Sequence, residues 1–202
     1  MDASSLDRRE ALKRLAVSGV AAATLPAWIE TLCAAAVDQA HLHGQRKATA
    51  AAAAWTPKIL TRAQNETVIT ISELIIPQTK TAGAKAAKVN EFIDGGLAGT
   101  GPTERARFLD GLRWIDERAK ADFSTTFVAA TPAQQTALLT TLSAPDASTA
   151  DRPGVEFFNA IKSMTIVGYY TSEAGMREEL GDDGTLFFVE FKGCEHPEHR
   201  EQ

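Results

Sequence analysis

The chain has 202 residues, of which 44% are hydrophobic, and a formal net charge of −5. Once an N-terminal leader and an alanine-rich stretch are set aside, about 150 residues remain, enough for one domain with one core. The charge is spread along the chain without a basic stripe, which excludes nucleic acid as an expected partner.

The N-terminus carries Asp7-Arg8-Arg9-Glu10-Ala11-Leu12-Lys13, followed by an uncharged run from Leu15 to Ile29. Paired arginines, then Leu12-Lys13, ahead of a weakly apolar stretch match a twin-arginine export signal. Asp7 stands where Ser or Thr is usual in such signals, and Ala11 where Phe is usual. The competing readings are a membrane anchor or a plain amphipathic helix. The run is 15 residues long, short of the roughly 20 that a membrane-spanning helix needs. It is built of small residues, interrupted by Pro26 and ended by Glu30. Ala34-Ala35-Ala36 offer the small residues that signal cleavage requires. Of the two cysteines, Cys33 is not preceded by a lipoprotein box. A Cys33–Cys194 bridge is conceivable only if the leader is kept.

The rest of the chain divides readily. Residues 1–44 read as the signal segment, 45–60 as a linker, 61–180 as a helical domain and 181–202 as a tail. Thr61-Arg62-Ala63-Gln64 is a capping box, in which a hydroxyl accepts a backbone N–H and a glutamine reaches back. The helix it opens carries Val68, Ile71, Leu74 and Ile75 on one face and stops at Pro77. Val89, Phe92, Ile93 and Leu97 mark a second helix, weakened by Gly95 and Gly96 and ended by Gly99. Pro102 starts a third, where its missing N–H costs nothing, and Phe108, Leu112, Ile115, Ala119 and Phe123 recur along it. Thr131-Pro132-Ala133-Gln134 starts a fourth. After a loop from Ala144 to Pro153, a fifth runs from about Val155 to Tyr170. Gly181-Asp182-Asp183-Gly184 reads as a turn and Leu186–Val189 as a short extended piece. The expected fold is all-α: a small irregular bundle of about five helices with a signal helix before it and an extended tail after it.

Four segments, Thr67–Pro77 (TVITISELIIP), Val89–Asp94 (VNEFID), Arg107–Asp116 (RFLDGLRWID) and Phe157–Ser172 (FFNAIKSMTIVGYYTS), resemble the gluconate 2-dehydrogenase subunit 3 family in sequence, order and spacing. The twin-arginine start is typical of it, and Gly193–His199 is similar to tails of one branch. The resemblance spans roughly Thr61 to Ser172. It implies a non-catalytic small subunit paired with a large FAD-dependent subunit of the glucose–methanol–choline type, which oxidises a sugar or sugar acid. Electrons then leave through a cytochrome c subunit. The small subunit helps the flavoprotein mature and carries it through the twin-arginine translocase to the periplasm, at the membrane through the complex. No catalytic or cofactor-binding residue is carried over to this chain. The FAD is expected in the partner.

Cys194, His196 and His199 form C-x-H-x-x-H, all three being possible zinc ligands. The blander readings are a polar tail laid over the partner, or an unstructured one. A free-standing periplasmic metal-binding protein is the alternative function. A self-contained oxidoreductase is disfavoured, since no G-x-G-x-x-G after a strand, P-loop or haem motif occurs. Asp110, Arg113, Asp116, Glu117 and Arg118 read as a solvated face, Arg113 and Glu117 having ion-pair spacing. Trp114 sits beside the apolar stripe, at the core edge or as an interface anchor. Tyr169 and Tyr170 are about 100° apart on a helix, so they cannot both face one core. One of them, left open by the sequence, either keeps a wet hydroxyl or meets a partner. Phe187 and Phe188 alternate faces in an extended piece. Trp114, Tyr169, Tyr170, Phe187 and Phe188 are therefore the expected partner interface, of the upper size class above roughly 2,000 Å².

Overall fold

The computed structural model describes residues 26–46, 55–144 and 147–183. Among these described residues six α-helices follow in order: α1 (Ala27–Arg46), α2 (Arg62–Ile75), α3 (Val89–Gly99), α4 (Pro102–Phe123), α5 (Pro132–Ser143) and α6 (Arg152–Tyr170). A 3-10 turn, Thr149–Asp151, leads into α6, and a π-helical turn, Ala174–Glu179, follows it. No strand occurs among the described residues, and the fold is all-α, as expected. None of these helices is long and apolar enough to cross a membrane.

The helix starts are local chemistry. The Thr61 hydroxyl accepts the Gln64 N–H at 3.2 Å, and the Gln64 carbonyl oxygen accepts the Thr61 N–H at 2.9 Å. Thr131 and Gln134 repeat the pattern at 3.4 and 2.9 Å. Pro102 occupies the first turn of α4, where no donor is lost. The far end of α3 is closed from outside: Arg105 donates to the carbonyls of Leu97 at 2.8 Å and Thr100 at 2.9 Å. These are charge-assisted bonds to carbonyls that a helix end leaves orphaned.

Helix α6 is the centre, touching each of the five other described helices. Phe157, Ile161, Met164 and Tyr169 on it are essentially fully buried. Against them pack Val68 and Ile71 of α2, Ile93 and Leu97 of α3, Phe108 and Ile115 of α4, and Leu142 of α5. Close helix crossings depend on missing side chains. A Cβ on Gly111 of α4 would fall inside Phe157 of α6, and one on Gly154 of α6 would fall inside the Trp114 ring. The Phe108 and Phe157 rings meet edge to face at 5.3 Å, a favoured aromatic geometry.

One expectation is corrected. The folded body does not begin at Thr61. Helix α1 begins inside the segment read as signal (1–44) and ends in the segment read as linker (45–60), yet Ile29 and Leu32 are fully buried and Ala36 nearly so. Its main partner is α3. A Cβ on Gly96 would lie 2.6 Å from the Ala36 Cβ, and one on Gly99 would lie 3.1 Å from Gln39 Cγ. The glycines that weaken α3 by propensity thus form the bare face on which α1 lies.

Candidate functional site

An open groove of about 680 Å³ lies where the N-terminal ends of α1 and α6 meet the middle of α4. Trp28 and Trp114 wall it, with Arg107, Arg113 and Arg152 around them. Periodicity explains the clustering: Arg107, Asp110, Arg113, Trp114 and Glu117 recur at three- and four-residue intervals and share one face of α4. The Arg107 guanidinium stands 5.9 Å from the Trp28 ring centroid, and that of Arg118 stands 5.9 Å from the Trp114 ring, both within cation–π range.

The charges partly cancel. Arg113 pairs with Asp110 at 3.0 Å, and Arg152 with Glu156 at 3.2 Å. Both pairs are exposed and so contribute little to stability. The expected Arg113–Glu117 pair is not the one formed. Asp116 also departs from the solvated-face reading, since its carboxylate accepts the Phe127 N–H at 3.0 Å and ties the following loop to α4. Arg118 bonds Asp122 at 2.7 Å and also bonds buried Asp151. With aromatic walls and an arginine rim, the groove has the composition of a protein-binding surface. Among the described residues no group of three or more His, Cys, Asp or Glu side chains could hold a metal ion.

The structure sorts the expected interface residues. Trp114 is half-buried, lies over Gly154 and forms part of the groove wall. Tyr169 is corrected: it is fully buried, and its hydroxyl donates to the Ala82 carbonyl at 2.7 Å, so it belongs to this chain's own core. Tyr170 is half-buried, with its ring edge-on to Tyr169 at 5.2 Å. The 100° step between neighbours separates the two as expected. Phe187 and Phe188, the Cys194, His196 and His199 set, and Arg8, Arg9, Leu12 and Lys13 lie outside the described residues.

Residues 62–183, more than half of the chain, match the family described as Gluconate 2-dehydrogenase subunit 3. The chain belongs to the gluconate 2-dehydrogenase subunit 3 family. No curated protein and no solved structure matches it. The match runs from the first residue of α2 to just past the π-helical turn, so the groove draws on both sides of its boundary. Trp28 lies before it, while Trp114 and the arginines lie within it. The family name marks the chain as a subunit of a dehydrogenase complex, and so implies a larger dehydrogenase partner.

Sequence reasoning missed several positioning groups of this family member. Asp94, in the VNEFID segment, is 1% exposed and accepts three backbone N–H groups: Lys58 at 2.7 Å, Ile59 at 3.0 Å and Leu60 at 2.9 Å. An aspartate between apolar Ile93 and two glycines was the available signal. Buried Asn65 and Asn90 bond each other at 3.0 Å across α2 and α3, and Ser72 meets Thr165 at 3.1 Å across α2 and α6. Lys162 projects into a second hollow of about 250 Å³ beside Phe158. Burial lowers its pKa.

Cys33, on α1, is half-buried, and burial pushes its thiol up to about 11, with the charge of Glu30 adding to the effect. The native chain therefore holds this proton more tightly than the unfolded one. The associated stability is full below about pH 9 and is lost as the pH rises towards 11. In a Cys194→Ser background, Cys33 should alkylate at pH 8 roughly a hundredfold more slowly in the native than in the unfolded chain, because its thiolate is that much scarcer. Equal rates, followed by mass spectrometry, would contradict the burial of α1.

Proposed function

We propose that this protein is the non-catalytic accessory subunit of a periplasmic FAD-dependent dehydrogenase of the glucose–methanol–choline type, acting on a sugar or sugar acid. In this reading it supports maturation of the catalytic flavoprotein and carries it through the twin-arginine translocase. The observation that carries the reading is the family match over residues 62–183, joined in one chain to Arg8-Arg9 and Leu12-Lys13. A folded-protein export signal on a domain without a cofactor motif suits a chain whose cargo is bound to it. The flavin belongs to the partner, and a cytochrome c subunit takes the electrons onward. The Trp28–Trp114 groove, Tyr170 and the tail with Phe187 and Phe188 supply aromatic surface for that partner.

The test is co-expression with the large flavoprotein from the neighbouring reading frame. Purified alone, this chain should show no flavin or haem absorbance. Purified with the partner, the pair should carry flavin in equal ratio to the large subunit. Deleting residues 185–202 should weaken co-purification and lower periplasmic dehydrogenase activity severalfold. Stoichiometric flavin on this chain by itself would refute the accessory reading.

A further inference from the structure

Two observations on α1 bear on how the chain is processed. Ala34-Ala35-Ala36, the small residues at which the sequence invites cleavage, lie in the middle of a helix running Ala27–Arg46. Ala36 is 1% exposed and faces the bare backbone of Gly96. A peptidase takes its substrate extended and accessible, whereas this turn is helical and, although Ala34 is exposed, its Ala36 is buried. Removal would also be costly. A cut after Ala36 discards Trp28, Ile29 and Leu32, all buried in the common core, and uncovers the glycine face of α3. Ile29 and Leu32 are fully buried, and burial of such side chains is a main source of a domain's stability.

We infer that the exported chain keeps α1 whole, and that any signal processing falls on the N-terminal side of Pro26. The Pro26 carbonyl accepts the Ile29 N–H at 2.9 Å, so the helix is already organised from that residue. Upstream, Ala21-Ala22-Ala23 supply small residues for a cut. Such a cut is simple hydrolysis: one peptide bond breaks, and water supplies the new carboxylate oxygen and the proton of the new amine. The uncharged run is thereby shared between two roles, Leu15–Leu25 serving the translocase and Trp28 and Ile29 the core. This inference rests on the export reading above and adds where the mature chain begins.

The experiment is the intact mass of the complex-bound chain from the periplasmic fraction, carrying its own leader and a C-terminal tag. The expected N-terminus lies at or before Pro26. An exported chain beginning between Cys33 and Val37 overturns the inference while leaving the export reading intact. A chain confined to the cytoplasm overturns both. A second measurement uses Leu32→Ala. In a chain that keeps α1, this should lower the melting temperature of the exported protein by roughly 10 °C. A chain that has lost residue 32 would melt identically with either residue, and that result also overturns the inference.

Discussion

Asp94→Ala should lower the melting temperature of the purified chain by roughly 10 °C, corresponding to about 3–4 kcal/mol. The carboxylate is 1% exposed and is the acceptor for three successive backbone N–H groups, those of Lys58, Ile59 and Leu60. Those groups belong to the bend that leads into α2, just ahead of Thr61 and its capping box. Alanine would strand them beside buried Leu60, and an orphaned buried donor costs more than a formed hydrogen bond contributes. Asp94→Asn should fall between the two, because its amide NH₂ would confront one of the three donors while its oxygen serves the others. Asp110→Ala is the control, since its exposed pair with Arg113 should be worth less than about 1 kcal/mol. Thermal melting followed by circular dichroism reads all three variants. An Asp94→Ala protein melting within roughly 2 °C of the parent would remove Asp94 from the central role given to it here.

Under the proposed escort role, the double substitution Arg8→Lys, Arg9→Lys should abolish export of this chain and, with it, of its proposed flavoprotein partner. Lysine keeps the charge but not the planar guanidinium fork. A translocase that reads guanidinium geometry therefore loses its contact, while the folded body, from α1 onward, keeps every residue. Dehydrogenase activity should fall at least tenfold in the periplasmic fraction and accumulate in the cytoplasm. The melting temperature of the complex purified from the cytoplasm should be unchanged. Normal periplasmic activity from the double variant would end the escort reading. Loss of export accompanied by a lower melting temperature would instead point to a folding defect.

The helix boundaries were legible because their causes are local. Thr61 and Thr131 cap the helices that follow through partners three residues away, and Pro102 and Pro77 act on their own backbone. The all-α class and the core stripes of α2, α4 and α6 followed from spacing alone. The place of α1 did not. A run of alanine with occasional Trp28, Ile29 and Leu32 satisfies a signal's apolar core and a buried helix equally well. What distinguishes them is a surface elsewhere in the chain able to receive it. Gly96 and Gly99 supply that surface, and in sequence they look only like weak points of α3.

The same division runs through the candidate site. Sequence by itself determined that Tyr169 and Tyr170 must part company and that Trp114 stands beside the apolar stripe, since helical geometry fixes the angles. Only the tertiary structure decided that Tyr169 is the inward one, because the acceptor for its hydroxyl, the Ala82 carbonyl, lies 87 residues away. It also decided that Asp94 is a clamp rather than a surface charge, and that Trp28 and Trp114 wall one groove. Each of these depends on groups far apart in the chain meeting at hydrogen-bond or contact distance, and no local pattern encodes that meeting.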